Sequence, residues 1–402
     1  MTGSATRAPY LTDRLQGFGT TVFAEMSALA VATGSINLGQ GFPDTPGPAE
    51  VLDVARAAIG TAHDQYPPGP GTPELRAAIA AHVERFRGLA YDPDTEVLVT
   101  AGATEALTAA MLALVEPGDE VVLFEPVYDS YAAAVAMAGG VLRPVPLTPP
   151  PADTDGAVWT FDPADLRAAV TDRTRLLLLN TPHNPTGKVF SRAELDAVAE
   201  VVLTAGLLLV TDEVYEHLVF TGAAHVSPAT LPGLRERTLV VSSGGKTFST
   251  TGWKVGWTCG PAPLVAAVRT AKQFLTYVNA GPFQPAIAAG LGLPDAYFTG
   301  IAADLGRRRD VLVAGLRGAG LPTIAPEATY FATVDVRGVA PGGDGLAFCR
   351  ALPERAGVVA VPAGVFWTAE HADLGRHLVR FAFCKRDEVL TDAVARLGRM
   401  SP

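Results

Sequence analysis

The sequence predicts an α/β fold in which helices cover both faces of a mixed or mostly parallel sheet, with a smaller α+β part towards the C-terminus. Three short runs carry this prediction: residues 176–179 (LLLL), 207–210 (LLLV) and 238–241 (TLVV). Such runs, with little polar alternation, are typical of strands that are buried on both faces. Helical patterns separate the strand patterns, as expected of a sheet built from strand–helix units.

The individual elements follow from the same patterns in chain order. Helices are predicted at residues 21–32, 49–59, 74–86, 104–114, 129–138, 192–205, 264–277, 283–292 and 299–318. Strands are predicted at residues 96–100, 120–124, 176–179, 207–210, 238–241, 330–336, 358–361 and 377–383. The residues before the second helix form an N-terminal arm, and the helix near 299–318 leads into the smaller part.

Length and charge restrict the class of protein. The chain has 402 residues, 48% of them hydrophobic and 18% charged, which suits a globular protein of two domains. Its formal net charge of −10 argues against a nucleic-acid or membrane-surface partner, since both would need a basic face. No apolar run approaches the length of a membrane span, and the charged N-terminus is unlike a secretion signal. We therefore expect no nucleic-acid partner and no membrane.

Cysteine and histidine usage indicates a reducing compartment and no metal site. Three scattered cysteines, Cys259, Cys349 and Cys384, do not form a disulfide framework. The seven histidines show no metal-binding spacing, because His217 follows Glu216 without a second histidine at helical distance. We expect a cytoplasmic protein that binds no metal.

The stretch 242–257 (SSGGKTFSTTGWKVGW) places one lysine, Lys246, among small residues directly after a predicted strand. Two interpretations compete: the end of a phosphate-binding P-loop, or an amine that forms a Schiff base. The P-loop pattern requires a glycine five positions before Gly245, but that residue is Val240, inside the strand. The loop would be too short to wrap phosphates, so the sequence favours the amine.

Polar residues that follow the other strands support this choice, since ligands of such sheets bind beyond the carboxyl ends of the strands. Small residues at 101–104 lead into a helix N-terminus, where backbone N–H groups and the helix dipole favour an anion. Asp212 follows a buried strand and needs a cationic partner, either Mg²⁺ or a protonated pyridine nitrogen. Two prolines hold the loop 180–187 (NTPHNPTG), which presents Asn184.

Taken together, these residues meet the requirements of an aldehyde cofactor with a phosphate arm. Such a cofactor needs a lysine amine, an acid at its ring nitrogen, a donor at its ring hydroxyl and an anion cradle. Lys246, Asp212, Tyr215 with Asn184, and the turn at 102–104 supply these four groups.

On eight motifs the chain resembles the class I/II aminotransferases of pyridoxal 5′-phosphate (PLP) fold type I. It is similar above all to the branch of kynurenine aminotransferase/glutamine transaminase K and of actinobacterial N-succinyldiaminopimelate aminotransferases. The motifs are NLGQGFPD (37–44), QYPPGPGTPELR (65–76), TAGATEAL (100–107), EPVYDSY (125–131), NTPHNPTGKV (180–189), TDEVYEHLVF (211–220), SSGGKTFSTTGWKVGW (242–257) and LVRFAFCKRDE (378–388).

This resemblance implies a large domain with a mostly parallel seven-stranded sheet between helices, and a smaller α+β domain. Residues 1–48 would form an N-terminal arm and a segment of the small domain. Residues 49–295 would form the large PLP-binding domain, and residues 296–402 the C-terminal small domain.

The resemblance also implies roles for individual residues. Lys246 would bind the cofactor aldehyde and move the substrate's Cα proton, Asp212 would hold the ring nitrogen, and Tyr215 would join them in catalysis. The full set of cofactor-binding residues is Tyr66, Ala103, Thr104, Tyr128, Asn184, Asp212, Tyr215, Ser243, Lys246 and Lys254. Among these, Tyr66 resembles a residue that reaches the phosphate of the neighbouring subunit, which implies a homodimer.

The resemblance implies that Arg380 is the clamp for the substrate's α-carboxylate. An arginine in an apolar strand needs a buried partner, and its fork of donors matches a carboxylate with two parallel bonds. The resemblance places Asn184 and the backbone of Gly39 beside it. Arg386 matches no such role and is interpreted as a surface residue.

The resulting prediction is a ping-pong aminotransferase that acts on an L-amino acid and a 2-oxo acid. The expected side-chain pocket, around Phe18, Tyr128 and residues 274–279, contains aromatic residues and asparagine but no arginine. A neutral, aromatic, sulfur-containing or N-succinylated side chain therefore fits better than a short dicarboxylate. A cysteine-conjugate-type β-lyase or another biosynthetic PLP enzyme is the alternative, and a catalytically silent cofactor-binding regulator is a third possibility.

Overall fold

The computed structural model of the chain describes residue 8, residues 10–19 and residues 21–400, and strands alternate with helices through most of it. Its α-helices are α1 (Val22–Thr33), α2 (Ala49–Ala58), α3 (Pro73–Arg87), α4 (Gly102–Leu114), α5 (Asp129–Ala138), α6 (Pro163–Ala168), α7 (Arg192–Thr204), α8 (Gly244–Thr247), α9 (Ala262–Lys272), α10 (Gln284–Leu291), α11 (Asp295–Gly318), α12 (Gly345–Ala356), α13 (Ala372–Gly375) and α14 (Asp387–Leu397). Its strands are β1 (Ile36–Asn37), β2 (Val97–Ala101), β3 (Glu120–Glu125), β4 (Val141–Pro146), β5 (Thr174–Asn180), β6 (Leu208–Asp212), β7 (Thr238–Ser243), β8 (Val255–Cys259), β9 (Thr323–Ile324), β10 (Phe331–Asp335), β11 (Val358–Val359), β12 (Val361–Pro362) and β13 (Leu378–Ala382).

Seven strands form the central sheet, in the order β2-β8-β7-β6-β5-β3-β4. The pairs from β7 to β4 are parallel, and β8 runs antiparallel to both of its neighbours. This arrangement confirms the predicted α/β fold with a mostly parallel seven-stranded sheet. Parallel strands end at the same edge of a sheet, so the residues that follow them lie close together.

The run of four leucines in β5 shows why the strands carry little polar alternation. Leu176 and Leu178 pack in one apolar cluster with helices of one face, whereas Leu177 and Leu179 pack in another cluster on the opposite face. Side chains alternate between the faces of a strand, so a sheet covered by helices on both sides needs apolar residues at every position.

A second sheet, β12-β13-β10-β9, is antiparallel and belongs to the C-terminal part of the chain. The N-terminal segment joins this part, because β1 pairs in parallel with β11. The assignment of residues 1–48 to an N-terminal arm and a small-domain segment stays a prediction. The domain boundaries at residues 48 and 295 stay predictions.

Three predicted elements differ most from the structure. The helix expected at 299–318 begins earlier, at Asp295. The helix expected at 264–277 ends at Lys272, whose Nζ donates to the Tyr277 carbonyl at 2.7 Å and so holds a turn instead of a further helical turn. The strand expected at 358–361 is interrupted at Ala360. Its first half pairs with β1 and its second half with β13, so the chain changes sheets there.

Among the described residues, no single helix is long and apolar enough to cross a membrane. The segments 281–291 and 295–318 satisfy the length and composition criteria only as a pair, and they meet at 93°. All three cysteines are buried and free.

Candidate active site

A cavity of about 500 Å³ lies at the carboxyl edge of the central sheet, and most of the predicted site residues line it. Asn180 and Asp212 are in register at the ends of β5 and β6, and Ser243 ends β7 beside them. The predicted site residues that line this cavity are Ala103, Thr104, Tyr128, Asn184, Asp212, Tyr215, Ser243, Lys246, Lys254 and Arg380.

Lys246 is held by a sharp turn at the end of β7. The chain passes directly from Ser243 into the single helical turn α8, which projects the lysine into the cavity. Its Nζ donates a hydrogen bond to the hydroxyl of Tyr330 at 3.0 Å. Burial lowers the pKa of Lys246, since a cation loses solvation there. This shift favours the neutral amine, which is the nucleophilic form.

Asp212 faces the same cavity from the end of β6 and is only 5% exposed. One carboxylate oxygen accepts from the Tyr131 hydroxyl at 2.6 Å, and the other accepts from the Val214 amide at 3.2 Å. Burial nevertheless raises the pKa of Asp212 to about 6, against the effect of these hydrogen bonds and of Lys246. A cationic ligand beside the carboxylate would offset this cost of burial.

The N-terminus of α4 forms a small, positively polarised cradle. Gly102 leaves β2 with a φ of 73°, and the Lys254 Nζ lies 3.5 Å from the Thr104 hydroxyl. A Cβ on Gly256 would meet the backbone of residues 102 and 103 at 2.5 and 2.7 Å, so only glycine permits this packing. Free N–H groups, a helix dipole and an ammonium group together suit a phosphate.

Arg380, on β13, is 2% exposed and lies across the cavity from these groups. Its Nη1 and Nη2 donate to the Asn184 side chain at 3.1 Å and to the Gly39 carbonyl at 3.2 Å. Its guanidinium carbon lies 3.9 Å from the ring centroid of Phe331 and 4.8 Å from that of Phe366.

Among the described residues, Arg380 hydrogen-bonds only to neutral acceptors and not to a carboxylate, and its buried Nε has no hydrogen-bond partner. Burial lowers its pKa to about 10, which still leaves it charged near neutral pH. A buried, unpaired cation is costly, and a bound carboxylate would supply the missing partner.

Three further predicted residues frame the site. The backbone N–H of Asn184 donates to the side-chain oxygen of Asn180 at 2.7 Å, which ties the loop 180–187 to the end of β5. Tyr215 is 3% exposed, and burial raises its pKa. Tyr128 stands at the start of α5, where its ring is perpendicular to that of Tyr131.

Two predicted residues lie outside the lining of the cavity. Gly39 contributes only through its carbonyl contact with Arg380. Tyr66 is 83% exposed and contacts the ring of Tyr277, so its predicted role would require a second subunit. Of the expected side-chain pocket, Tyr128 lines the cavity, whereas Phe18 and residues 274–279 do not line it within this chain. That pocket stays a prediction.

Sequence reasoning missed Tyr131 and Tyr330, which hydrogen-bond the two central residues of the site. Tyr131 lies one helical turn after Tyr128, and this i, i+3 spacing could have placed both tyrosines on one face. Tyr330 precedes a strand of the second sheet, so no local pattern links it to Lys246. Sequence reasoning also missed Phe23 and Phe331, which add apolar surface to the cavity.

The fold also creates a histidine–glutamate group that is invisible in the sequence spacing. His82, Glu216 and His217 bring their potential ligand atoms within 4.8 Å of one another. Glu216 is, however, already paired with Arg87 at 3.0 Å and accepts from Ser242 at 2.8 Å. The carboxylate is therefore satisfied by protein groups.

Comparison with known families agrees with this geometry. The family model for aminotransferase class I and II matches residues 33–397. The chain belongs to the class I and II aminotransferases. The predicted enzyme class is thus confirmed, and the family and fold imply PLP as the cofactor of this aminotransferase.

Sequence similarity to known relatives covers almost the whole chain of this aminotransferase. It is 52% identical over 393 residues to a probable N-succinyldiaminopimelate aminotransferase DapC of Mycobacterium tuberculosis, covering 96% of this chain and 97% of the relative. It is 37% identical to the mouse kynurenine–oxoglutarate transaminase 3, covering 96% and 89%.

A solved structure of N-succinyldiaminopimelate aminotransferase from Mycobacterium tuberculosis superimposes with a TM-score of 0.93 at 52% identity, covering 97% of this chain and 100% of that one. These relatives are transaminases, which favours transamination over the β-lyase alternative.

Proposed function

We propose that this aminotransferase transfers an amino group from an L-amino acid to a 2-oxo acid in a ping-pong cycle, with PLP bound by Lys246. One observation carries the proposal. The Lys246 amine, the Asp212 carboxylate and the unpaired guanidinium of Arg380 share a single cavity with a helix N-terminus.

The residues present fit PLP at three points. Lys246 would bind the aldehyde, Asp212 would pair with the ring nitrogen, and the cradle at the start of α4 would hold the phosphate with Ser243 and Lys254. Tyr128 would lie against the ring, while Asn184 and Tyr215 would hydrogen-bond the ring oxygen. When bound, PLP supplies an electron-withdrawing ring that stabilises negative charge at the substrate's Cα.

The protein's own groups then orient the substrate and move its proton. Arg380 would bind the α-carboxylate with its fork of donors, and its contacts with Asn184 and Gly39 hold the guanidinium in place. Lys246, whose pKa is lowered by burial, would take the proton from the substrate's Cα as a general base. Its position on the single-turn helix α8 keeps the amine within the cavity.

The cavity favours an amino donor with a long side chain that carries no charge close to Cα. Among the described lining residues the cations are Lys246, Lys254 and Arg380, and each has a role already. Asp129 adds a negative group, while Phe23 and Phe331 add apolar surface. A side chain with an acylated amine meets these conditions, so N-succinyldiaminopimelate is the first candidate. The similarity to the mycobacterial relative supports this choice.

We further propose that the enzyme is a cytoplasmic homodimer in which Tyr66 reaches the phosphate site of the partner subunit. Its 83% exposure, away from this chain's own cavity, supports such a role. Light scattering after gel filtration tests the dimer, and a fully active monomer would contradict it.

A panel of amino donors with 2-oxoglutarate or pyruvate as acceptor tests the function. We expect the highest kcat/KM with N-succinyldiaminopimelate, lower values with methionine and kynurenine, and the lowest with aspartate. The readout is the 2-oxo acid formed from the donor. Release of ammonia and pyruvate from a cysteine conjugate, without any amino transfer, would contradict the proposal and favour a β-lyase.

A further inference from the structure

Lys246 stands between two cavities. The first is the site described above, and the second, of about 440 Å³, lies behind the lysine between residues 43–48 and α11. Lys246 lines both, and Tyr330 and Tyr297 line the second. A free amine at this position can therefore point in two directions, of which only one leads to the substrate.

The Tyr330 hydroxyl is the single hydrogen-bond partner of the Lys246 amine within the described residues. The same hydroxyl donates to the Gly41 carbonyl at 2.7 Å. A tyrosine has one hydroxyl hydrogen, and a carbonyl oxygen can only accept. Because that hydrogen is committed to Gly41, Tyr330 can only accept from Lys246.

The position of Tyr330 is tightly determined. Its side chain is 1% exposed, and a Cβ on Gly41 would meet its ring at 2.8 Å. Its ring is perpendicular to that of Tyr215, with the ring centroids 5.4 Å apart. The preceding residue, Thr329, has a φ of 67°, which is unusual for a β-branched side chain and persists only where the surroundings enforce it.

We infer that Tyr330 is a positioning residue for the transamination: by accepting a hydrogen bond from Lys246, it turns the amine's lone pair away from the second cavity and towards the substrate. This inference rests on the proposed role of Lys246 as the base. An amine has one lone pair, so fixing one of its N–H bonds restricts where the lone pair can point. With fewer orientations available to the amine, its lone pair is more often aligned with the substrate's Cα proton.

The contact has a second consequence for the proton affinity of the lysine. An acceptor stabilises the ammonium form, and it therefore opposes the effect of burial. Removing the Tyr330 oxygen should make Lys246 more acidic in the PLP-free protein, where no cofactor is attached to the amine.

The test compares Tyr330→Phe with Tyr297→Phe. Tyr297 lines the same second cavity, but its hydroxyl donates to the Thr247 carbonyl and not to Lys246. The acid dissociation constant of Lys246 is measured in the PLP-free proteins, from the pH dependence of its labelling by an amine reagent and mass spectrometry of the peptide. Steady-state kinetics of the PLP-loaded proteins supply kcat and KM.

For Tyr330→Phe we expect the acid dissociation constant of Lys246 to rise about tenfold and kcat to fall about tenfold, with KM for the donor nearly unchanged. Tyr297→Phe should match the wild type in all three. If Tyr330→Phe does not fold, 3-fluorotyrosine at position 330 keeps the ring and weakens the acceptor, and it should shift the constant in the same direction.

An unchanged dissociation constant together with an unchanged kcat would overturn the inference. The inference would also be overturned if kcat fell to the same extent in Tyr330→Phe and in Tyr297→Phe. Failure of the proposed function is distinguishable, because it would appear as full turnover of a protein that lacks Lys246, whatever Tyr330 does.

Discussion

At the scale of single residues, the site consists of charges that are buried with too few partners. Arg380 has only neutral acceptors among the described residues, and Asp212 only neutral donors. Each arrangement is costly in the free protein. A zwitterionic substrate and a cofactor with a basic ring nitrogen would supply the counter-charges.

Replacing Arg380 by lysine tests the carboxylate clamp. Lysine keeps the charge but loses the planar fork and the stacking on Phe331, so we expect kcat/KM for the donor to fall about 10- to 100-fold. Arg386→Lys is the control, since Arg386 is half-exposed and pairs with Glu388. Equal kcat/KM values for the two variants would refute the clamp.

The raised pKa of Asp212 predicts a specific pH dependence of stability in the PLP-free protein. The folded state keeps a proton on Asp212 up to about pH 6, whereas an unfolded aspartic acid loses it near pH 4. The folded state therefore binds more protons between these values, and the contribution of Asp212 to the free energy of unfolding falls as pH rises through this window.

Asp212→Asn should remove this loss, because asparagine keeps the acceptor for Tyr131 but cannot ionise. Relative to this variant, we expect the wild type to lose on the order of 2–3 kcal/mol between pH 4 and pH 6, with no further change above. Denaturant unfolding at a series of pH values measures the difference. Parallel stability curves for the two proteins would show that burial does not perturb Asp212.

At the scale of elements, the carboxyl ends of the strands could be predicted, and the contacts between sheets could not. Asp212 follows an apolar run, so the periodicity alone indicated its place at the sheet edge. Tyr330 reaches Lys246 from the second sheet, after a left-handed Thr329 that no propensity predicts. Similarly, the helix predicted to continue to residue 277 ends at Lys272, because a side-chain contact with Tyr277 closes a turn.

The packing of β8 against α4 gives a prediction at this scale. Gly256→Ala would press a methyl group into the backbone of residues 102 and 103 and so displace the predicted phosphate cradle. We expect the Kd for PLP to rise at least about tenfold, measured by titration of the PLP-free protein. Gly252→Ala is the control, since a Cβ there meets nothing within 4 Å. Unchanged PLP affinity in Gly256→Ala would place the phosphate elsewhere.

At the scale of the whole molecule, three separate parts of the chain meet at one cavity. The central sheet and the turn after it contribute Asp212 and Lys246, and the second sheet contributes Arg380. The N-terminal segment contributes Gly41 and Phe42 to the lining, and its Gly39 carbonyl holds Arg380 from outside the lining. The sequence allowed the class of fold and the main site residues to be predicted, because each of these follows or lies within a strand or a recognisable motif. The walls of the cavity depend on how the parts pack, so Phe23 and Phe331 could not be foreseen.

The most direct test of the central claim is the Lys246→Ala variant, analysed for both covalent PLP and turnover. After borohydride reduction and digestion, the wild type should carry PLP on the peptide that contains Lys246, and the variant should carry none. Turnover of the variant should fall by about 10³-fold or more, with an unchanged circular dichroism spectrum. Amino transfer at the wild-type rate, or PLP attached to another lysine, would contradict the account.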